Sequence, residues 1–156
     1  MKIAMIGLLL IGMVLVSGCA QQDNTIKIGG AFALTGAAAD WGQDELKAAD
    51  MAIEELNSAG GIDGKRVSMI TEDTKSDNTG TLNAIQKLIY VDKVPAVIGP
   101  TWGDSFGSIV APLGEQNKIV QITPSGALEV AEDTIDYPYF FSTWYPQRPE
   151  INRHME

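Results

Sequence analysis

Cysteine and histidine are almost absent: the 156-residue chain has one of each, Cys19 and His154. A single cysteine excludes an intrachain disulfide, and one of each excludes the usual tetrahedral zinc sets. His154 lies two positions from the last residue, so a Ser-His-Asp arrangement has no sensible base. Basic residues are also scarce, 11 against 20 acidic ones, for a formal net charge of −9. That balance opposes nucleic-acid binding, which draws its affinity from cationic contacts to phosphate. It equally opposes docking on anionic lipid head groups, and its plain meaning is a solvated acidic surface. Phosphate-binding loops are missing too. Gly29, Gly30 and Gly36 have the wrong spacing for G-x-G-x-x-G, and Gly60 to Arg66 precedes a strand and has no Ser or Thr after its lysine. Asp73 and Asp77 lack the other ligand positions of a calcium loop. Glu72-Asp73 and Asp104 are better read as caps or solvated charges than as a catalytic carboxylate pair. No enzyme chemistry, metal or cofactor is expected.

The apolar run Ile3 to Val16 has 14 residues without a charge. A bilayer-spanning helix needs about 20, so this run has the length of a signal-peptide core, with Lys2 as its positive flank. It ends in Leu15-Val16-Ser17-Gly18-Cys19, which resembles the bacterial lipobox. The resemblance implies cleavage before Cys19, acylation of its thiol and a membrane anchor; a plain signal peptide followed by a chance cysteine is the alternative. A single acyl chain anchors only marginally, and lipobox chemistry supplies more than one. Residues 1–18 are thus expected to be a leader and 19–25 a polar tether. Removing the leader leaves ten basic and 20 acidic residues, a net charge of about −10.

From Ile26 onward the chain alternates between strand and helix. Ile26, Ile28 and Ala31 to Leu34 predict a first strand broken by Gly29-Gly30, and Thr35 to Gln43 a small-residue loop carrying Trp41. A helix starting near Gln43 or Asp44 follows, striped by Leu46, Ala49, Ile53 and Leu56 and stopped at Gly60-Gly61. Val67 to Thr71 predicts the second strand, with Asp77 or Asn78 capping a second helix striped by Leu82, Ile85, Leu88 and Ile89. Ala96 to Ile98 is a short buried strand. Phe106, Ile109, Val110 and Leu113 stripe a third helix that bends or ends around Pro112 to Gly114. Ile119 to Ile122 and Tyr139 to Thr143 are the remaining strands, Leu128 to Glu132 one helical turn, and Gln147 to Glu156 the start of another helix. Strand–helix–strand units in series mean an α/β fold with a parallel sheet and right-handed crossovers. Ligands bind such sheets outside the carboxyl ends of their strands. The loops at that edge hold Thr35, Trp41, Asp73, Asp77, Thr101, Trp102, Asp104, Ser105 and Ser125. Trp41 and Trp102 are each open to two readings, core packing or a ligand contact.

Leu34-Thr35-Gly36, Trp41-Gly42, the helix from Ala48 to Leu56, Asn57 to Gly64 and Val97 to Pro100 resemble the type I periplasmic binding proteins. So do Ser105 with Ala111-Pro112, and Ile122 to Ser125. The nearest group is the branched-chain amino-acid (Leu/Ile/Val) binding proteins of ABC importers, and the likeness runs from about Ile26 to Thr143. It implies a three-layer α/β fold with helices on both faces of a parallel sheet. Residues 26–143 would be the first lobe, incomplete, and 144–156 the start of a crossing segment or second lobe, because family members are longer and two-lobed. The implied activity is capture of a small polar ligand, an amino acid or amide, by hinge closure and its delivery to permease subunits. In this family a serine after the third strand and nearby backbone amides hold the ligand carboxylate; Ser105 matches that serine, with Trp102 and Gly103 beside it. Ser125, Gly126 and Ala127 match the loop after the fourth strand, and Ala127 stands where threonine is common, so that hydroxyl contact is absent. Trp41 matches an aromatic position lining the ligand side chain. The alternatives are a ligand-sensing module of a receptor or regulator with this fold, and an envelope enzyme on an α/β scaffold, for which no nucleophile–base pair is present.

Overall fold

A computed structural model of the chain describes residues 25–101, 110–124 and 138–143. Among the described residues five strands form one sheet: β1 Thr25–Phe32, β2 Arg66–Asp73, β3 Ala96–Ile98, β4 Val120–Thr123 and β5 Phe140–Ser142. Their order is β2-β1-β3-β4-β5, and every pairing is parallel. The described helices between them are α1 Ala39–Ser58, α2 Asn78–Gln86, which widens into a π-helical turn at Lys87–Val91, and α3 Ala111–Asn117.

Strand register decides which side chains face which layer. Gly29 pairs with Ile70 and Val97, Val97 with Gln121, and Gln121 with Phe140, so these positions share one face. On that face lies the main apolar cluster: Ala31, Ala84, Ile85, Leu88, Ile89, Val94, Val97 and Val110, flanked by Ile70, Leu113, Ile119 and Phe140. Ile85, Leu88 and Ile89 are the buried members of the predicted α2 stripe; Leu82 is half-buried. Burying each large side chain stabilises the fold by about 1.5–3 kcal/mol. Helix α1 packs on the opposite face, over β1 and β2. On the α1 side β3 to β5 carry no helix among the described residues, and Ile122 and Phe141, partners in register, are 40% and 52% exposed.

Several elements differ from their sequence expectations. Strand β1 runs unbroken through Gly29 and Gly30. A Cβ on Gly29 would press on Leu88 and Val97, and one on Gly30 on Met69 and Phe32. The two glycines therefore let both layers approach the strand. Helix α1 starts at Ala39 and not near Gln43, which puts Trp41 in its first turn. Gly42, expected in a loop, is a buried contact within the helix: any Cβ there would run into the backbone of Ala33. Helix α3 continues past Pro112 and Gly114 to Asn117; the proline sits in the first turn, where no intrahelical N–H bond is lost. Asp77 caps α2 as expected, its Oδ1 accepting from the Gly80 N–H at 2.6 Å.

The return between α1 and β2 explains the Asn57-x-x-Gly-Gly pattern. The Asn57 side chain makes a reciprocal pair with Val67, accepting from its N–H at 2.7 Å and donating to its carbonyl at 2.8 Å. Gly60, Gly61 and Gly64 all have positive φ, and a Cβ on Gly61 would strike the Lys65 carbonyl. This segment fixes where β2 begins, at the amino edge of the sheet.

Candidate functional site

From β1 the chain runs outward to β2 on one side, and from β2 it crosses back to β3 on the other. The carboxyl ends of β1 and β3 therefore flank the point where the connections diverge. In an open parallel sheet that crevice is where ligands sit. Its walls are the 33–38 loop after β1, the first turns of α1, and Gly99-Pro100-Thr101 after β3.

Three strand ends are tied together here. The Thr101 Oγ1 accepts from the Ala33 N–H at 3.0 Å, the Gly99 N–H donates to the Ile122 carbonyl at 2.8 Å, and the Thr123 Oγ1 donates to the Pro100 carbonyl at 2.9 Å. Thr101 and Thr123 are buried. Gly99 has a φ of 108°, and a Cβ there would collide with the Ala31 carbonyl oxygen, so the position requires glycine.

The loop after β1 is held from β2. Asp73, in register with Phe32 at the end of β2, accepts through Oδ1 from the N–H groups of Leu34 (3.0 Å), Thr35 (3.2 Å) and Lys75 (2.8 Å). Its Oδ2 accepts from the Thr35 hydroxyl at 2.7 Å. Burial pushes the Asp73 carboxyl up, but the Thr35, Lys75 and Leu34 hydrogen bonds together outweigh it and hold the group below the ordinary carboxylate range. Ser76 completes the clamp, its hydroxyl donating to the Thr35 carbonyl at 2.7 Å and accepting from the Ala38 N–H at 3.0 Å. Gly36 fits under this pair with a φ of 88°. The Asp73 reading as a cap is thus right in kind, though what it caps is a loop from another strand.

Of the residues expected to contact ligand, Trp41 is described, and it stands 64% exposed in the first turn of α1, beside the crevice. Trp102, Gly103, Ser105, Ser125, Gly126 and Ala127 lie outside the described residues, as do Cys19, Asp104 and the expected helical segments at 128–132 and 147–156.

Sequence reasoning missed Glu45. It lies one turn after Trp41 on α1 and was indistinguishable from the other acids of that helix. Its side chain is half-buried, and its Oε2 is fully buried with no hydrogen-bond partner among the described residues. Burial pushes the carboxyl above its ordinary range, and the Thr101 hydroxyl draws it partly back. The available signal was spacing: Glu45 falls three residues after buried Gly42 and four before Ala49, on the face α1 turns to the sheet.

Comparison with known proteins agrees with this geometry. Residues 25–155 match the family model described as periplasmic binding protein. In the solved structures, the branched-chain amino-acid substrate-binding protein LivJ of Streptococcus pneumoniae, in complex with isoleucine, is 32% identical with a TM-score of 0.70, over 78% of this chain and 34% of that one. A solute-binding protein from Rhodopseudomonas palustris BisB5, in complex with 3,4-dihydroxybenzoic acid, is 25% identical with a TM-score of 0.66, over 79% and 32%. Among curated proteins, Leu/Ile/Val-binding protein homolog 7 of Brucella suis is 28% identical over 85 residues, which is 54% of this chain and 21% of the relative. The sequence thus spans between about a fifth and a third of the length of these relatives, which bind substrates and are not enzymes. On the family match, the parallel sheet and its order, the chain belongs to the periplasmic binding protein family.

Proposed function

We propose that this chain is the first-lobe portion of an extracytoplasmic solute-binding protein of an ABC importer. It would hold a small polar ligand, a branched-chain or other amino acid or an amide, at the carboxyl edge between β1 and β3. The observation that carries the reading is the exposed Trp41 beside that crevice, in a fold shared at 32% identity with a protein solved with isoleucine. Ser105, with Trp102 and Gly103, and the Ser125-Gly126-Ala127 loop supply the carboxylate contacts in this reading. A second lobe closes over the ligand, and the closed form docks on a permease. Cys19, acylated after cleavage of the leader, anchors the protein on the outer side of a membrane.

A ligand panel on the full-length protein, read by thermal shift and calorimetry, tests this. Leucine, isoleucine and valine, their amides and dihydroxybenzoate form the panel. A ligand at 100 times its Kd stabilises by about 2.7 kcal/mol, which a melting curve detects readily. Binding of an amino acid or amide is the expected result; dihydroxybenzoate alone would move the ligand class, and no binding by any panel member would refute the proposal. For the anchor, Cys19→Ala should release the protein from membranes into the soluble fraction.

A further inference from the structure

Helix α1 begins without either of the devices by which a helix usually secures its own first turn. Its N-cap is Ala38, which has no side-chain oxygen, and no side-chain cap is made there. In a capping box the third helical residue is Glu or Gln, and it reaches back to the N–H of the N-cap. Here that third residue is Trp41. The Ala38 N–H is satisfied all the same: the hydroxyl of Ser76, 38 positions later, accepts from it at 3.0 Å. The same hydroxyl donates to the Thr35 carbonyl at 2.7 Å, closing the loop after β1 against the start of α1. Ala38 is 1% exposed, so water does not readily replace the bond if the hydroxyl is removed.

Ser76 reaches this place by an unfavourable backbone path. Lys75 and Ser76 both lie in the left-handed region, at φ 57° and 58°, which residues other than Gly, Asn and Asp seldom enter. Neighbours hold the pair there. The Lys75 N–H donates to Asp73 Oδ1 at 2.8 Å, and the Asp77 N–H to the Thr74 carbonyl at 3.2 Å. From the other side Gly36 approaches so closely that a Cβ on it would stand 2.6 Å from the Lys75 carbonyl oxygen and 2.8 Å from the Ser76 hydroxyl oxygen. Strain of this kind persists only where the surroundings over-determine it, and ligand clamps are one such setting. At Ser76 the strained backbone delivers a hydroxyl to the two groups that join β1 to α1.

We infer that Ser76 is a positioning residue for the ligand edge: from the turn after β2 its hydroxyl supplies the capping arm that Trp41 displaces from α1, and so sets where Trp41 stands. Its effect on affinity rests on the proposed function; its effect on Trp41 does not.

The test uses the full-length protein labelled with 5-fluorotryptophan, with the Trp41 fluorine resonance assigned by its loss in Trp41→Phe. Without ligand, Ser76→Ala and Ser76→Gly move the Trp41 resonance alike, since both lose the hydroxyl, although Ser76→Gly melts higher because glycine tolerates the positive φ. Lys75→Gly eases the same turn and keeps the hydroxyl, so it changes the melting temperature and leaves the resonance in place. Unlabelled Trp41→Glu, which restores the local capping arm, raises the melting temperature of Ser76→Ala more than that of the wild type. In calorimetry with the panel ligand that binds, Ser76→Ala weakens affinity by up to about tenfold, the order of one hydrogen bond, and Lys75→Gly stays near the wild type. A purely structural Ser76 would lower the melting temperature and leave the resonance and the affinity of the folded fraction unchanged, and that result overturns the inference. So does a resonance that follows melting temperature across the three variants, or an equal gain from Trp41→Glu in both backgrounds. Affinity lost with the resonance in place overturns it too, because Ser76 would then act on the ligand and not through Trp41. If Ser76→Ala fails to fold, Ser76→Gly carries the same prediction. If no panel ligand binds, the proposed function fails while the resonance measurements still decide the role of Ser76.

Discussion

Gln121 occupies the middle of β4, in register between Val97 and Phe140, and is fully buried. Both its amide oxygen and its amide nitrogen are without a hydrogen-bond partner among the described residues. The side chain lies against Gly114 of α3, where a Cβ would come within 2.8 Å of its Cδ and Oε1. An unpaired buried donor or acceptor costs about 1–3 kcal/mol, whereas an apolar group of the same shape avoids that cost. Methionine has nearly the volume and flexibility of glutamine, and such volume-conserving exchanges cost less than about 1.5 kcal/mol when no polar term is involved. With two unpaired groups removed and a small packing loss, Gln121→Met should stabilise the fold by about 1–3 kcal/mol. Urea denaturation followed by circular dichroism measures this as a higher midpoint with an unchanged slope. A second variant separates packing from polarity. Gly114→Ala should be destabilising beside glutamine and distinctly less so beside a shortened Gln121→Ala, because the contact is with the end of that side chain. If Gln121→Met destabilises by more than about 1 kcal/mol, the amide is satisfied, by ordered water for example, and the accounting above is wrong.

Three further outcomes follow from the same kind of accounting. Asp77→Ala removes the side-chain cap of α2 and should cost about 1 kcal/mol, with Asp77→Asn and Asp77→Ser recovering most of it in the same denaturation assay. Gly99→Ala places a Cβ against the Ala31 carbonyl at positive φ and should lower the melting temperature more than Gly64→Ala, which has positive φ but open space around it. The two perturbed carboxyls act oppositely with pH. Asp73, held low, contributes stability that is present above its unfolded value of about 3.8 and is lost as pH falls through its folded value, so Asp73→Asn should cost stability at pH 7 and little at the acid end. Glu45, pushed up, binds more protons folded than unfolded above about 4.5, so its contribution is lost as pH rises through the folded value; Glu45→Gln should raise the melting temperature at pH 7 and leave it unchanged near pH 4.

Alternation of apolar runs and helical stripes placed every described strand to within two or three residues, because burial on both faces of a parallel sheet demands continuous apolar runs. Glycine misled where its role was contact and not flexibility. Gly29-Gly30 suggested a break, Gly42 a loop and Gly114 a helix bend or end, yet each lies inside its element with another backbone or side chain where its Cβ would stand. Composition carries no sign of such close approach, since most of the partner atoms belong to other elements of the fold. The crevice was legible as an edge of the sheet and in the exposed Trp41. The burial of the Glu45 carboxyl was not, its one signal being its spacing from Gly42 and Ala49.

Hydrogen-bond accounting narrows what the crevice offers a ligand. The sequence placed Thr35, Asp73, Asp77 and Thr101 near this edge, and the structure adds the Ser76 hydroxyl. Each is engaged in holding the loops. Asp73 accepts four bonds, one of them from the Thr35 hydroxyl, Asp77 caps α2, Ser76 both donates and accepts, and Thr101 accepts from Ala33. A ligand recruiting any of them would have to break a bond it then replaces, for little net gain. Under the proposed function, recognition on this lobe would therefore fall to Trp41 and to the serine and backbone groups of the loops after β3 and β4. Substituting a clamp residue should accordingly change affinity in step with stability or with the position of Trp41, while substituting Ser105 or Ser125 should weaken a carboxylate ligand with little effect on either. Paired calorimetry and melting curves across the two sets distinguish them, and a clamp variant such as Ser76→Ala that lost affinity with stability and Trp41 both unchanged would show that the ligand reaches the clamp directly.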